Sequence, residues 1–324
     1  MVGRHRLAAA GGRVNVETSD NPLVSVVIPM FQAEAWILDT LASVAAQTYP
    51  QVEVIVVDDG STDRGADVVA EYAASADTPV RLIRSENQGV ASARNRGIAE
   101  STGSLVALLD ADDRWLPRKL ELQVARMAQS TAPMCLCGYE LVEDRTGRRV
   151  GVVSVKDGPS ALRGWLALEG NGLLLPSTAL IRRTVLDDMR GFDPEFSVSA
   201  DLEFALRMEE VGPLDAVPET LVRYRVHSAQ MHRQLSEFSA DVSRLYDQVF
   251  TGGRYQSIER RCRANLAAHV GFSELIRGHL RLGTRHLARS ARLDPRRLVT
   301  LPVHALLRRI GRRSRAWSIR SALC

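Results

Sequence analysis

Cysteine is scarce in this sequence, and its placement suggests no cross-linked or metal-bound framework. The four cysteines are Cys135, Cys137, Cys262 and Cys324. Their spacing matches neither a zinc site nor the dense pattern of a disulfide-rich secreted domain. We therefore expect free thiols in a reducing, cytosolic environment.

Long apolar runs are also missing. The first 20 residues lack the apolar core and the cleavage site of a secretory signal. The longest apolar stretches elsewhere are too short or too interrupted to span a bilayer. We expect a cytoplasmic protein that is either soluble or peripheral at the cytoplasmic face of a membrane.

Two glycine-rich nucleotide motifs do not occur. The absence of G-x-G-x-x-G and of G-x-x-x-x-G-K-[ST] argues against a dinucleotide oxidoreductase and against a P-loop enzyme. Hydrophobic residues make up 45% of the chain and charged residues 25%, which are ordinary values for a globular protein.

Charge is distributed unevenly along the chain. Residues 233–324 contain 19 arginines, no lysine and 6 acidic residues, while the whole chain has a formal charge of only +4. The first 232 residues are therefore net acidic. An acidic body followed by a basic region predicts two different roles.

Short β-branched runs alternate with helical periodicity between Leu23 and Ala128. Strands are predicted at 24–28, 53–57, 80–83 and 105–109, and helices at 33–47, 63–74, 89–100 and 117–128. This order predicts an α/β fold with a mainly parallel, Rossmann-like central sheet and helices on both faces. Beyond Met134 shorter strands and helices mix, and the section from Ser236 is predicted to be helical.

Acidic clusters follow two of the predicted strands, at Asp58–Asp59 and at residues 110–113. Ligands of such sheets bind beyond the carboxyl ends of the strands, so both clusters lie where a ligand is expected. Asp110 and Asp112, two residues apart on a loop, can hold a divalent cation together with substrate phosphates. Asp112 or Asp113 could instead cap the following helix. So many carboxylates on one rim favour a cation or a ligand rich in N–H and O–H groups.

Five motifs in a fixed order resemble the family 2 glycosyltransferases of the GT-A fold over roughly residues 22–228. They are SVVIPMF (25–31), SVAAQTYP (43–50), EVIVVDDGSTD (53–63), GVASARNRG (89–97) and LLDADD (108–113). The resemblance implies a GT-A domain with a helical C-terminal extension. We expect a flexible segment at 1–21, the transferase domain at 22–232 with a nucleotide-binding half at 22–130 and an acceptor half at 131–232, and a basic helical region at 233–324.

The resemblance also implies a binding site for a nucleotide-diphosphate sugar. The residues that it assigns to this site are Pro29, Phe31, Asp59, Arg94, Asn95, Asp110, Ala111 and Asp112. Phe31 replaces the usual Tyr and Gln32 the usual Asn, which keeps stacking but removes a phenol hydrogen bond. Arg94 could meet phosphate charge, or it could be a surface residue of its helix.

A divalent cation, Mg²⁺ or Mn²⁺, is implied at Asp110 and Asp112. The segment from Tyr224 to His227 resembles the basic segment of the family that approaches the diphosphate or the metal, which makes His227 a further candidate ligand. A packed histidine is the alternative for this residue.

The segments GFDPE (191–195) and SADLEF (199–204) resemble the region of the family that holds its general base, and Asp201 takes that role. Ala200 stands where the family usually has Glu, and Glu203 could contribute instead. As a purely structural residue Asp201 would cap a helix.

The implied activity is inverting transfer of a sugar from a nucleotide-diphosphate donor to the hydroxyl of a glycan, lipid-linked or other acceptor, in polysaccharide or cell-envelope biosynthesis. The alternative is a catalytically retired nucleotide-sugar-binding or scaffold protein, which Phe31, Gln32 and Ala200 favour. An aspartyl phosphatase is disfavoured because Arg114 stands where that class has Thr or Val. A sugar nucleotidyltransferase is disfavoured because no glycine-rich loop follows Ile28.

The basic C-terminal region has three interpretations. The segment Leu298–Trp317 mixes apolar residues with arginine, which is typical of peripheral contact with an anionic membrane. Ordinary helical packing with a solvated arginine face is the second. Nucleic-acid binding is not expected, because aromatics are scarce there and no known motif occurs.

Overall fold

The computed structural model describes residues 21–155, 159–169, 176–227, 235–251, 253 and 255–296. The strands are β1 (Val24–Met30), β2 (Val52–Asp59), β3 (Val80–Ser85), β4 (Leu105–Leu108), β5 (Arg114–Trp115), β6 (Met134–Glu143), β7 (Arg149–Val153), β8 (Leu180–Arg182) and β9 (Asp215–Val226). The helices are α1 (Ile37–Ala45), α2 (Gly65–Ala73), α3 (Val90–Glu100), α4 (Lys119–Ala128), α5 (Pro159–Leu166), α6 (Arg183–Met189), α7 (Ala200–Val211), α8 (Leu235–Thr251), α9 (Glu259–Ile276) and α10 (Leu280–Leu293).

The strands form one sheet in the order β3-β2-β1-β4-β8-β6-β9-β5, with β7 paired to β6. The first four strands in this order run parallel, as the alternation along the chain predicts. In the second half β8 is antiparallel to both β4 and β6, and β5 is antiparallel to β9. The pattern after Met134 is too irregular to predict the pairings of β8 and β9, and the two-residue β5 lies in a predicted loop.

Both faces of the sheet are covered by helices, which confirms the predicted layering. Alternate residues of β1 show this: Val26 and Ile28 pack toward α1, α2 and α4, whereas Val27 packs with α3 and α7. Every residue of β1 is buried, because a central parallel strand has no solvent face.

The C-terminal helices share a core with the acceptor half of the sheet. Phe238, Tyr246 and Cys262 lie in the same buried cluster as Phe204 of α7. The structure therefore has the predicted helical extension, joined to the rest through apolar packing. No helix among the described residues is both long and apolar enough to cross a membrane. The segment Leu298–Trp317 lies outside the described residues.

Candidate active site

Strand β2 ends at the first acidic cluster, and both carboxylates there accept hydrogen bonds from backbone. Asp59 accepts from the N–H groups of Gln88 and Gly89 at 2.9 and 2.8 Å, so it holds the entrance to α3. Asp58 accepts from the N–H of Ser61 at 3.0 Å. The proposed nucleoside ligand Asp59 thus already fixes the loop that leads to Arg94.

The loop after β4 is held from two sides by hydroxyl groups. Ser177 accepts a hydrogen bond from the N–H of Asp110 at 3.0 Å and donates to the carboxylate of Asp113 at 2.6 Å. From α1, buried Thr40 lies 2.8 Å from the carbonyl oxygens of Ala111 and Asp113. The conformation of residues 110–113 is therefore set by tertiary contacts.

Asp113 is a fully buried member of the acidic cluster. Its carboxylate also accepts the N–H of Arg225 at 3.2 Å, and burial beside Asp112 and Asp110 raises its pKa well above the usual range. Neither Asp112 nor Asp113 caps α4, which starts at Lys119 without a side-chain cap. The capping interpretation of this cluster is wrong.

Arg94 of α3 joins the acidic loop to the predicted base. Its two terminal nitrogens donate to Asp110 at 2.9 Å and to Asp201 at 2.7 Å. Only 3% of Arg94 is exposed, so the interpretation as a surface residue is wrong. A buried guanidinium with two carboxylate partners has a raised pKa and remains charged.

Asp201 lies in the first turn of α7, with Ser199 rather than Asp201 at the N-cap position. Its carboxylate borders a small cavity whose other lining is apolar and includes Leu108 and Phe192. Burial raises the pKa of Asp201 to about 6, while Arg94 opposes that shift and Asp110 adds to it. A carboxylate with such a pKa can act as a general base near neutral pH.

Asp112 and His227 meet at the other side of the acidic loop. Nε2 of His227 lies 2.8 Å from Oδ2 of Asp112. The imidazole also stacks on Trp36, with ring centroids 4.0 Å apart. His227 is thus packed against an aromatic ring and also directed at the acidic loop. The interpretation as a packed histidine and the interpretation as a candidate ligand are therefore compatible.

Arg225 ties this side of the site to α1 and to the turn after β6. Its guanidinium donates to the carbonyl oxygen of Asp112 at 2.9 Å, to Asp144 at 3.1 Å and to Asp39 at 3.2 Å. These bonds fix the end of β9, and with it His227, against the acidic loop.

The fit of a divalent cation follows from these donors. Among the described residues, no group of three or more His, Cys, Asp or Glu side chains is arranged to hold a metal. Asp112 and His227 nevertheless converge with a carboxylate oxygen and an imidazole nitrogen, and Mg²⁺ commonly takes one or two carboxylates plus substrate phosphates and water. One carboxylate oxygen of Asp110 accepts a hydrogen bond from Arg94, and its other oxygen could bind a ligand. The donor set suits a cation that arrives with a diphosphate.

Asn95 fixes the loop that precedes α7. Its amide donates to the carbonyl oxygen of Phe192 and accepts from the N–H of Phe192, both at 2.7 Å. Gly191, with a φ of 70°, approaches this amide so closely that a Cβ would lie 2.2 Å from Oδ1 of Asn95. The predicted nucleotide-side residue Asn95 is therefore bound to the loop on the Asp201 side.

Pro29 and Phe31 mark the end of β1, next to Asp58 of β2. Pro29 is buried, whereas Phe31 is 52% exposed and leaves an open ring face at the rim. Gln32 has a φ of 51°, and its amide binds Thr62 and the N–H of Asp63. An exposed ring at this position is free to stack on a base.

Ala200, which departs from the family pattern, and Glu203, which could contribute in its place, both have structural surroundings. Ala200 is fully buried in the core. Glu203 is paired with Arg207 through bonds of 2.5 and 2.7 Å. The suggestion that Glu203 substitutes for the missing Glu gains no support from this pairing, and Asp201 is the carboxylate directed at Arg94.

Sequence reasoning missed Thr40, Ser177 and Trp36 as parts of the site. Each contributes one hydroxyl or one ring, and only the packing of α1 with its N-cap residue, and of the turn before β8, against the acidic loop reveals it. The motif SVAAQTYP carried a signal that could have been used. Its Ser43 accepts the N–H of Trp115 at 3.1 Å, and its Gln47 donates to the carbonyl oxygen of Leu116 at 2.9 Å.

The sheet and the site together define a GT-A glycosyltransferase. The family model "Glycosyl transferase family 2" matches residues 25–190. An uncharacterised glycosyltransferase of Nostoc sp. is 30% identical over 224 residues, which is 67% of this chain and 69% of that protein. The chain therefore belongs to glycosyltransferase family 2, and the predicted resemblance is confirmed.

Two further proteins are similar to this chain, one in sequence and one in fold. The Escherichia coli UDP-Glc:α-D-GlcNAc-diphosphoundecaprenol β-1,3-glucosyltransferase WfgD is 34% identical over 128 residues, which is 39% of this chain and 49% of WfgD. The mannosyltransferase PcManGT of Pyrobaculum calidifontis, solved with GDP-Man and Mn²⁺, superposes with a TM-score of 0.60. That superposition covers 89% of this chain and 79% of PcManGT at 21% identity, and it shows the shared fold.

Proposed function

We propose that this glycosyltransferase moves a sugar from a nucleotide-diphosphate donor to an acceptor hydroxyl with inversion at the anomeric carbon. The observation that carries the proposal is the bridge from Asp110 through Arg94 to Asp201. It brings the predicted diphosphate side and the predicted base within one side chain of each other. The diphosphate that leaves and the acceptor hydroxyl that attacks would therefore both find their protein groups in one site.

In the proposed reaction Asp201 takes the proton of the acceptor hydroxyl as that oxygen attacks the anomeric carbon. Attack from the side opposite the leaving diphosphate gives inversion and needs no covalent intermediate. Arg94 keeps the carboxylate of Asp201 oriented and ionised. The apolar lining on one side of Asp201 reduces the solvation of its carboxylate, which contributes to its raised pKa.

The donor would bind along the rim formed by the ends of β1, β2 and β4. Phe31 offers a ring face for the base, and Asp59 lies at the end of β2, the strand that neighbours β1. Pro29 and Ala111 would lie along this rim, and Asn95 would act through the loop at Phe192 that it holds. These roles extend the assignments that the family resemblance implies.

A divalent cation, Mg²⁺ or Mn²⁺, would be held by Asp112 with Asp110 and His227. When bound, it would stabilise the negative charge that develops on the departing diphosphate. The Mn²⁺ in the PcManGT complex supports this proposal, as does the 2.8 Å approach of Asp112 to His227.

The proposed acceptor is a hydroxyl of a glycan, free or lipid-linked, in polysaccharide or cell-envelope biosynthesis. WfgD, which is named for a diphosphoundecaprenol-linked acceptor, supports the lipid-linked class. We place the reaction in the cytoplasm, which suits the free thiols of Cys135, Cys137 and Cys262, with peripheral membrane contact through the basic C-terminal region.

The experiment is a thermal-shift and turnover screen of nucleotide sugars with Mn²⁺ or with a chelator. We expect one nucleotide to stabilise the protein only with metal, and Asp112→Ala to weaken that donor at least about tenfold. Asp201→Asn should keep donor affinity but lower turnover by about 10²-fold or more. Asp187→Asn, which changes an exposed carboxylate of α6, is the matched control and should behave like the wild type.

Two results would contradict parts of the proposal. Donor binding that is equal with chelator and unaffected by Asp112→Ala would remove the metal. Full turnover in Asp201→Asn would remove the base.

A catalytically retired binding protein is the second candidate, and one observation favours it. Ala200, buried in the core, stands where the family usually has an acidic residue beside the base. This candidate predicts metal-dependent donor binding by the wild type without transfer to any acceptor and without donor hydrolysis. Turnover that depends on Asp201 would exclude it.

A further inference from the structure

Helix α10 carries a row of arginines on the side that faces away from the protein. Its sequence LRLGTRHLARSARL contains four arginines and no acidic residue. At 3.6 residues per turn these four fall within an arc of about 80° and span about 16 Å along the helix. All four are exposed, and we call them the arginine face: Arg281, Arg285, Arg289 and Arg292.

The opposite side of α10 is fixed against α9, so the arginine face has a defined orientation. Gly271 and Gly283 allow the two backbones to approach closely, because a Cβ on Gly283 would lie 2.9 Å from the carbonyl oxygen of Gly271. Ser290 is buried on the same side. This packing fixes the rotation of α10 about its own axis, so the four arginines point away from α9.

Unlike Arg244, Arg261 and Arg263 of the C-terminal helices, the four residues of the arginine face have no ion-pair partner among the described residues. Arg244 pairs with Glu195, Arg261 with Glu169, and Arg263 with Asp247 and Glu259. Those arginines balance local charge. Four uncompensated guanidinium groups in one row produce a positive potential that attracts an anionic partner.

Apolar side chains lie at the N-terminal end of this row. Ile276 is 71% exposed, Leu280 66% and Leu282 43%. Large apolar groups beside a basic row suit the boundary between lipid headgroups and acyl chains, where each kind of side chain finds a matching environment. They would gain nothing beside a nucleic-acid backbone, and α10 has no Phe, Tyr or Trp on which a base could stack.

We propose that the arginine face, together with Ile276, Leu280 and Leu282, docks the protein on an anionic lipid bilayer. The charge complementarity extends along the chain, because residues 297–324 contain seven arginines and no acidic residue. The inference rests on the proposed function in one respect: a bilayer would hold a lipid-linked acceptor. The contact itself requires neither donor nor turnover.

The experiment is flotation of the full chain with vesicles of phosphatidylglycerol and phosphatidylcholine, compared with phosphatidylcholine alone. We expect binding only to the anionic vesicles, decreasing as salt is raised. Replacing all four residues of the arginine face by Gln should weaken binding by at least about 30-fold. Leu280→Ser with Leu282→Ser should weaken it further.

The matched control removes four arginines that are exposed but paired, and it should bind as the wild type does. Its substitutions are Arg96→Gln, Arg118→Gln, Arg148→Gln and Arg149→Gln. Because both variants lose the same total charge, a difference between them locates the contact on α10. Equal binding by the two variants would overturn the proposal.

Three other outcomes also decide the matter. In the first, substitution of the arginine face leaves flotation unchanged, whereas substitution of Arg308, Arg309, Arg312 and Arg313 abolishes it. This result would place the membrane contact outside α10 and overturn the inference. Equal binding to neutral vesicles, or displacement by an RNA oligonucleotide that binds more tightly, would overturn it too. Anionic flotation that depends on the arginine face in a protein that binds no nucleotide sugar would support the inference while the proposed function fails.

Discussion

Arg94 is a single residue that touches both halves of the proposed site. The sequence motif identified it as a nucleotide-side residue, and the motifs likewise identified Asp110, Asp112 and Asp201. No motif indicated that Arg94 would lie between Asp110 and Asp201, because those residues are 16 and 107 positions away in the chain.

The ionisation of Asp201 leads to a prediction about pH. Its pKa is raised from 3.8 to about 6, so the folded protein binds this proton more tightly than the unfolded chain does. Stability from this group is present below about pH 4 and is lost as the pH rises through about 6. The base is active only when deprotonated, so kcat/KM should fall as the pH drops below about 6.

Arg94→Gln should shift the pH below which kcat/KM falls, the acidic limb of the profile, upward by about one unit or more. The reason is that the guanidinium that favours the ionised form of Asp201 is removed. Turnover at pH 7 should fall accordingly. Arg94→Lys keeps the charge and should hold the limb near its wild-type position, although one ammonium cannot bridge both carboxylates. An unchanged limb in Arg94→Gln would show that Arg94 does not influence the base.

At the scale of elements, α3 reaches the site because it packs closely on the sheet. Gly97 faces β1, and a Cβ there would lie 2.3 Å from Cγ1 of Val27 and 3.3 Å from Cγ2 of Val57. The sequence indicated a helix at 89–100 but not this approach, since the neighbours of Gly97 come from two distant strands.

Gly97→Ala should destabilise the protein by about 1–3 kcal/mol, because the added methyl forces α3 away from β1. Arg94 lies one turn earlier on α3, so donor affinity should also decrease. The control is Gly164→Ala in α5, where a Cβ meets nothing within 4 Å; this helical position should be stabilised by about 0.5–1 kcal/mol. Chemical denaturation of both variants measures the difference, and equal stabilities would contradict this account of α3.

At the scale of the whole molecule, α8 supports the loop that leads into α7. Asp241 accepts hydrogen bonds from the N–H groups of Ser197 and Ser199 at 3.1 and 2.8 Å, and from the hydroxyl of Ser199 at 3.1 Å. A residue of the predicted C-terminal region thus contributes to the placement of Asp201. The domain boundary predicted between residues 232 and 233 stays a prediction. The contacts of Asp241 join the region after this boundary to the region before it.

Asp241→Ala should cost about 1–3 kcal/mol of stability, because it removes the acceptor of the buried N–H of Ser199 and of the N–H of Ser197. It should also lower turnover more than donor affinity, since the loop that it supports leads into the helix that carries the base and does not belong to the diphosphate side. Asp247→Ala on the same helix removes an exposed carboxylate and should change stability by no more than about 0.5 kcal/mol. Equal effects of the two substitutions on turnover would show that α8 does not position Asp201.

Local sequence was sufficient for the features that depend on neighbours along the chain. Alternating apolar runs determined the parallel half of the sheet, since each strand and helix there is recognisable from its own periodicity. The ordered motifs were sufficient for the family and for the candidate residues Asp59, Asp110, Asp112 and Asp201. These features are encoded within windows of a few residues.

The tertiary structure decided what depends on residues far apart in the chain. It alone placed β8 between β4 and β6, joined Asp112 to His227, and set α8 behind the loop that precedes Asp201. Burial and the distance between charged groups have no local signature, because both are properties of packed elements. The charge state of Asp201 and the outward direction of the arginine row on α10 therefore follow from the fold, although the spacing of those arginines is a local feature of the sequence.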